Sequence, residues 1–131
     1  MSPIPVKETQ AMIAGMEPKL QPGLYAFTLW PEGKKWPVET RASCMEDEGL
    51  SLVVPINAAN GDAVAMRCIT LQVHSSLEGV GLTAAVSTAL AQAGIPANMV
   101  AGFHHDHVYV PGDLATKAVD VLKNLQKAAD T

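Results

Sequence analysis

The chain has 131 residues, 48% hydrophobic and only 17% charged, enough apolar material to bury a core as one compact unit or as two small, packed modules. A net charge of -4, with nine Lys and Arg scattered singly, leaves no basic stripe to neutralise a row of phosphates and argues against a nucleic-acid partner. No segment approaches the roughly 20 apolar residues that cross a bilayer, and the N-terminus MSPIPVKETQ has no basic region leading into an apolar run, so a cytoplasmic protein without membrane contact is expected.

In chain order, KETQAMIAGM carries Met12, Ile13 and Met16 on one side, as a short helix would. LYAFTLW, Leu24 to Trp30, reads as a strand, followed by the loop PEGKKWP. Trp30 and Trp36 flank that loop and are expected to pack in a core or interface, with Lys34 and Lys35 in solvent. PVETRASCMEDEGLSLVVP, Pro37 to Pro55, sets a proline before a strand, then a polar tip, a second strand and a closing proline. A short helical turn is expected over Ile56 to Ala65. CITLQVHS, Cys68 to Ser75, alternates Ile69, Leu71 and Val73 with Thr70, Gln72 and His74, the period of a half-buried strand. After the turn SLEGVG the period changes. Leu82, Val86 and Leu90 recur every four residues, with Ala85, Ala89 and Ala93 widening the stripe until Gly94 and Pro96 end a helix of about three turns. ANMVAGF and HVYVP are too close for a parallel crossover and must form a hairpin. Gly112 and Asp113 open a last helix with Leu114, Ala118, Val121, Leu122 and Leu125 on its apolar face. Cys44 and Cys68 lie far apart in strand-like surroundings without a CxxC, which predicts buried, reduced thiols.

The order strand, helix, strand, strand, helix occurs upstream in reduced form. Pro37 to Pro55 parallels PANMVAGFHHDHVYVP, Pro96 to Pro111, and LYAFTLW parallels CITLQVH, so an internal duplication is expected, with a degenerate unit over 1–65 and a better preserved one over 66–131. The first copy lacks the first helix, and the N-terminal segment is expected to occupy the vacated face. The fold class predicted is α+β: ferredoxin-like units in tandem, antiparallel sheets with helices on one face. The other sheet face needs cover, which two units side by side or two chains would supply, and a homodimer is expected.

Gly79, Gly81 and Ala84 match G-x-G-x-x-A between a strand and a helix. A dinucleotide site does not follow, because the next strand turns back as a hairpin and no acidic residue ends that strand to meet a ribose. No Gly-Lys-Ser/Thr follows either. Glycines still let backbone approach a ligand, and the free amides of a first helical turn favour an anion such as a carboxylate. Equally, they can serve only a tight strand-to-helix connection.

ITLQVHSSLEGVGLTAAVSTALAQAGIPANMVAGFHHDHVYV resembles an ACT domain, and the whole chain resembles small stand-alone tandem ACT proteins related to the ACT units of aspartokinase and CASTOR-type sensors. The resemblance is detailed from about Ile69 to Leu125 and looser upstream. It implies an amino acid bound at an interface between units or chains, gripped by the loop after the first strand and by the strand after the first helix. Carried over by position, the ligand-binding residues are Glu78, Gly79, Val80, Gly81 and Leu82 in the loop and Asn98, Met99 and Val100 on the strand. The first copy lacks the glycine loop and is expected to serve as a wall or dimer surface. There is no room for a catalytic domain, so any output passes through a regulated partner or the protein's own oligomer.

Enzymatic readings are weaker. Ser75, Ser76, His74 and Asp106 suggest a triad, yet there is no G-x-S-x-G elbow and neighbours on a strand face opposite ways. The cluster His104, His105, Asp106 and His107 could hold a metal through His105 and His107, but H-E-x-x-H is absent and the aligned tip in the first copy, MEDE, has no histidine. The expectation is a small-molecule-binding regulatory protein, the ligand an amino acid, with no catalytic residues, metal or cofactor. The alternative is an oligomerisation or protein-interaction module with a vestigial pocket.

Overall fold

The computed structural model describes residues 8–130. In chain order the elements are α1 (Thr9–Ala14), β1 (Lys19–Leu20), β2 (Tyr25–Trp30), β3 (Ala42–Glu46), β4 (Gly49–Pro55), β5 (Met66–Leu71), α2 (Leu82–Gln92), β6 (Asn98–Ala101), β7 (Asp106–Pro111) and α3 (Ala115–Ala129), with 3-10 turns at Ile56–Ala58 and Gly112–Leu114. The expected helix over Ile56 to Ala65 is thus only its first turn. The strand expected at Cys68 to Ser75 starts at Met66 and ends at Leu71, where the chain leaves β7 for the glycine loop.

All strands join one antiparallel sheet in the order β3-β4-β2-β5-β7-β6, with β1 added beside β5. The halves repeat one another's register. Tyr25 pairs with Pro55 and Ala42 with Val53 in the first, while Met66 pairs with Pro111 and Asn98 with Tyr109 in the second. Both closing prolines hold nearly the same backbone, φ -53 and ψ 143 at Pro55, φ -52 and ψ 137 at Pro111, and each leads into a 3-10 turn because a fixed proline φ suits a helical start.

Strand β2 meets β5 at a single residue pair, Tyr25 with Met66, and further along β5 the edge is taken by Lys19 and Leu20 of β1. Free of β5 beyond that pair, β2 splays away and the sheet curls. Residues paired across strands share a face, so Tyr25, Phe27, Val53, Cys68, Thr70, Val100, His107 and Tyr109 all turn to the concave side. There Tyr25, Val53, Cys68 and Tyr109 form a buried cluster with Ala42 and Val100 from the two outermost strands. The sheet face that called for cover is therefore covered within one chain, by the other half of the same sheet.

On the convex side the three helices cover the second half. Val86, Leu90, Ala118 and Leu122 pack on Ile69, Leu71, Val108 and Val110, as the four-residue repeats predicted. Helix α1, capped by the Glu8 carboxylate on the amides of Gln10 and Ala11, brings Met12 and Met16 into this same core. This corrects the expectation that the N-terminal segment fills the face vacated in the first unit: α1 lies against α2 and α3. Over the first unit, buried Trp30, Leu52 and Val54 pack with Ala58 and Ala59 of the 3-10 turn instead. Trp30 donates from Nε1 to the Lys34 carbonyl, and the Lys34 ammonium, expected in solvent, rests 4.7 Å from the Trp30 ring centroid. Trp36 is exposed. Cys68 is a buried free thiol as predicted, but Cys44 is exposed on the edge strand β3.

Candidate functional site

The segment between β5 and α2 is tied by its own backbone. Ser75 N–H donates to the Val73 carbonyl, Gly79 N–H to the Ser76 carbonyl, and Glu78 N–H to the Ser76 hydroxyl. Gly81 then adopts φ +108 at the N-cap of α2, a left-handed conformation that glycine enters without strain, and no side chain caps the helix. Beside this uncapped end lies a hollow of about 160 Å³, lined by Ser75, Ser76, Leu77, Gly79, Gly81, Leu82 and Thr83, and closed by Met12, Ala101 and Asp106.

Of the loop residues expected to bind a ligand, Gly79, Gly81 and Leu82 line this hollow, while Glu78 is exposed and Val80 is 77% exposed at its rim. The three strand residues are placed elsewhere. Asn98 starts β6 opposite Tyr109, about 10 Å along the strand from Ala101, the residue that does reach the hollow. Met99 packs among the helices, and Val100 turns to the concave side. The glycines also have a structural role. A Cβ on Gly79 would lie 2.9 Å from Met12 Sδ, and one on Gly81 would lie 2.6 Å from Thr9 Cγ2. Thr9 donates its hydroxyl proton to the Val80 carbonyl, so α1 is laced to the loop.

Sequence reasoning missed Asp106 and Ser75 as partners of this loop. Ser75 enters the sequence reading only as part of a triad and Asp106 only as part of that triad or of a metal cluster, yet period-two alternation already puts Asp106 on the face of Val108 and Val110. The structure brings them together: the Ser75 hydroxyl donates to Asp106 Oδ2 at 3.4 Å. Three of the histidines, His74, His104 and His105, gather ring beside ring, while His107 stands apart. His104 and His105 lie in the turn before β7, and the His74 ring sits 5.1 Å from that of His104. Among the described residues no three His, Cys, Asp or Glu converge as a metal cage.

His107 turns inward, with Nδ1 3.0 Å from the Thr70 hydroxyl, which also accepts from the Gln21 amide at 2.9 Å. Burial first, then the nearby His105 and Arg41, push its pKa below the ordinary histidine value, with Asp106 opposing. The unfolded state therefore takes up this proton more readily than the native state. Stability from His107 is complete above its unfolded value of about 6.5 and is lost as the pH falls from there through the lowered native value. Melting temperatures from pH 7.5 to 5 should accordingly fall less for His107→Asn than for the parent; parallel curves would refute the linkage.

Comparison with known proteins fits this architecture. ACT domain models match residues 5–69 and 64–124. The chain is similar to a Vibrio cholerae protein of unknown function, described as a possible transport protein, with 37% identity over 86% of this chain and 92% of that one and a TM-score of 0.72. An Agrobacterium tumefaciens protein shares the fold, with a TM-score of 0.67, at 21% identity over 94% of this chain and 91% of that one. No curated protein matches. Among the described residues no helix is long and apolar enough to cross a membrane. ACT domains are in general regulatory modules that bind small molecules. With two matching models covering nearly its whole length, on antiparallel strands and helices in the order its sequence predicted, the chain belongs to the ACT domain family and carries two such domains in tandem.

Proposed function

We propose that this protein is a regulatory amino-acid binder without catalytic activity, and that the ligand occupies the hollow between the Leu77–Gly81 loop and β7. The observation that carries this reading is a pairing of opposite polarities. The uncapped amides at the start of α2 face the same small space as the Asp106 carboxylate. First-turn amides and the helix dipole favour a carboxylate, and Asp106 favours an ammonium, which together suit the zwitterionic end of an amino acid. A volume of about 160 Å³ equals the share of about five waters, enough for the main-chain atoms, with the side chain leaving past Val80.

Asn98, Met99 and Val100 enter this proposal through a homodimer. Among the described residues strand β6 is paired on one edge only, with β7. Two such edges paired antiparallel about Val100 would set Met99 of one protomer opposite Ala101 of its partner, on the face of the hollow. Output then passes to a regulated protein through that dimer. An exposed free thiol at Cys44 suits a reducing, cytoplasmic setting.

Thermal-shift measurements against the common amino acids test the reading. One of them should raise the melting temperature, by the equivalent of about 2.7 kcal/mol at a hundred times its Kd, and Asp106→Asn should abolish the effect. Silence across the panel would leave the interaction module, a reading favoured by the use of Gly79 and Gly81 in seating α1.

A further inference from the structure

The concave side of the sheet holds a second polar constellation that the loop site does not use. Arg41, exposed just before β3, lies over the rim of this side, donating from Nε at 3.0 Å and Nη2 at 2.7 Å to the Tyr25 hydroxyl, with its guanidinium 5.0 Å from that ring's centroid. Among the described residues no carboxylate pairs with it, and the groups that act on it are Tyr25, Tyr109 and Cys68. A guanidinium offers five N–H donors, and Tyr25 takes two of these directions. Arg41 also borders a hollow of about 160 Å³ lined by Gln21, Thr70, His107, Tyr109 and Val100 as well as Tyr25 and Cys68. Its hydroxyls are donors. Tyr25 accepts from Arg41 and so has its own proton to give, and burial holds the Tyr109 phenol well above its ordinary pKa, in the protonated form. Thr70, accepting a hydrogen bond from the Gln21 amide and bonded to His107, completes a wall free of negative charge.

A second hollow of about 170 Å³ shares Val100 with the first and is lined by Phe27, Ala42, Val53 and Met99, at the seam where β3 and β6 approach without pairing. The chain passes from one to the other in a single step, since Arg41 lines the polar hollow and Ala42 the apolar one.

We propose that this interior binds a small aliphatic carboxylate, its anionic end held by Arg41 with the Tyr25 and Tyr109 hydroxyls, its hydrocarbon end lying along Val100 toward Phe27, Ala42 and Val53. The geometry suits no cation, because no acidic side chain lines either hollow. A zwitterion is also disfavoured, since its ammonium would meet Arg41 without a counter-charge. The site is distinct from the loop hollow and stands whether or not that hollow binds an amino acid.

Sodium butyrate is a suitable probe, followed by amide chemical shifts at constant ionic strength, with butanol and butylammonium chloride as controls. Saturable shifts are expected at Thr70, His107, Val100 and Phe27 with butyrate and not with either control. Arg41→Gln should weaken binding about tenfold or more, the effect of losing a charged hydrogen bond. Asp106→Asn, in the other hollow, should not abolish it. Shifts that never saturate, butanol binding as tightly as butyrate, or loss of butyrate binding in Asp106→Asn would each overturn the proposal. The first two outcomes are read on the parent protein, so they decide the matter even if Arg41→Gln does not fold.

Discussion

Tyr109→Ala is expected to lower the free energy of unfolding by about 3–5 kcal/mol, the usual cost of truncating a buried aromatic side chain to alanine. Tyr109 is only 3% exposed, and its ring stands edge-on to those of Tyr25 and Phe27, at centroid distances of 6.4 and 5.6 Å. These contacts matter beyond their area, because β2 pairs with β5 only at Tyr25 and Met66. With α1 and β1 held on the second half, the concave cluster is what holds β2, β3 and β4 against it. Since a domain of this size has a total stability of about 5–15 kcal/mol, the variant should sit near the edge of folding at 37 °C. Urea denaturation gives the magnitude, and hydrogen exchange gives the location: amides of β3 and β4 should lose more protection than those of β5 and β7. Tyr109→Phe keeps the ring contacts and should cost no more than about 1.5 kcal/mol. A loss below 1 kcal/mol in Tyr109→Ala would mean that the halves are held together by something other than this cluster.

Much of this architecture was legible because its signals are local. Leu82, Val86 and Leu90 announce a helix by spacing alone, and the prolines at 55 and 111 end their strands in the same backbone conformation. The two hairpins and the order of elements follow from such signals. What could not be read were events between elements. The destination of α1 depends on where Met12 and Met16 find unfilled apolar surface, and amphipathic spacing says which side is apolar without saying what it meets. The curl of the sheet depends on β1, two residues too short to register as a strand, taking the edge of β5 that β2 would otherwise follow. For the candidate site, the glycine loop stood out by composition, whereas Asp106 was hidden among histidines and becomes a partner of Ser75 only when β7 is laid beside β5. Arg41 gave no signal at all. A lone arginine at a strand start is ordinary until β2 brings the Tyr25 hydroxyl against it.

Gly81→Ala should destabilise the fold by about 2–5 kcal/mol, and the reason bears on what the loop is for. A non-glycine residue in the left-handed region costs about 1–2 kcal/mol, and forcing a methyl group into a filled space costs about 1–3 kcal/mol more. Both apply: Gly81 has φ +108, and its added Cβ would lie 2.6 Å from Thr9 Cγ2. The added methyl group therefore pushes on α1, the element that brings Met12 and Met16 into the main core. A double-mutant cycle separates the two costs. Thr9→Ala removes the Cγ2 that the new Cβ strikes, along with the hydroxyl bonded to the Val80 carbonyl, so Gly81→Ala should cost about 1 kcal/mol less in that background than in the parent. The difference measures the clash, and the part that Thr9→Ala leaves behind measures the backbone strain. Unchanged stability in Gly81→Ala, with amino-acid binding lost, would show a glycine placed for the ligand alone. Lost stability with coupling to Thr9 shows that the motif seats α1, and any ligand then binds at a joint whose packing it can tighten.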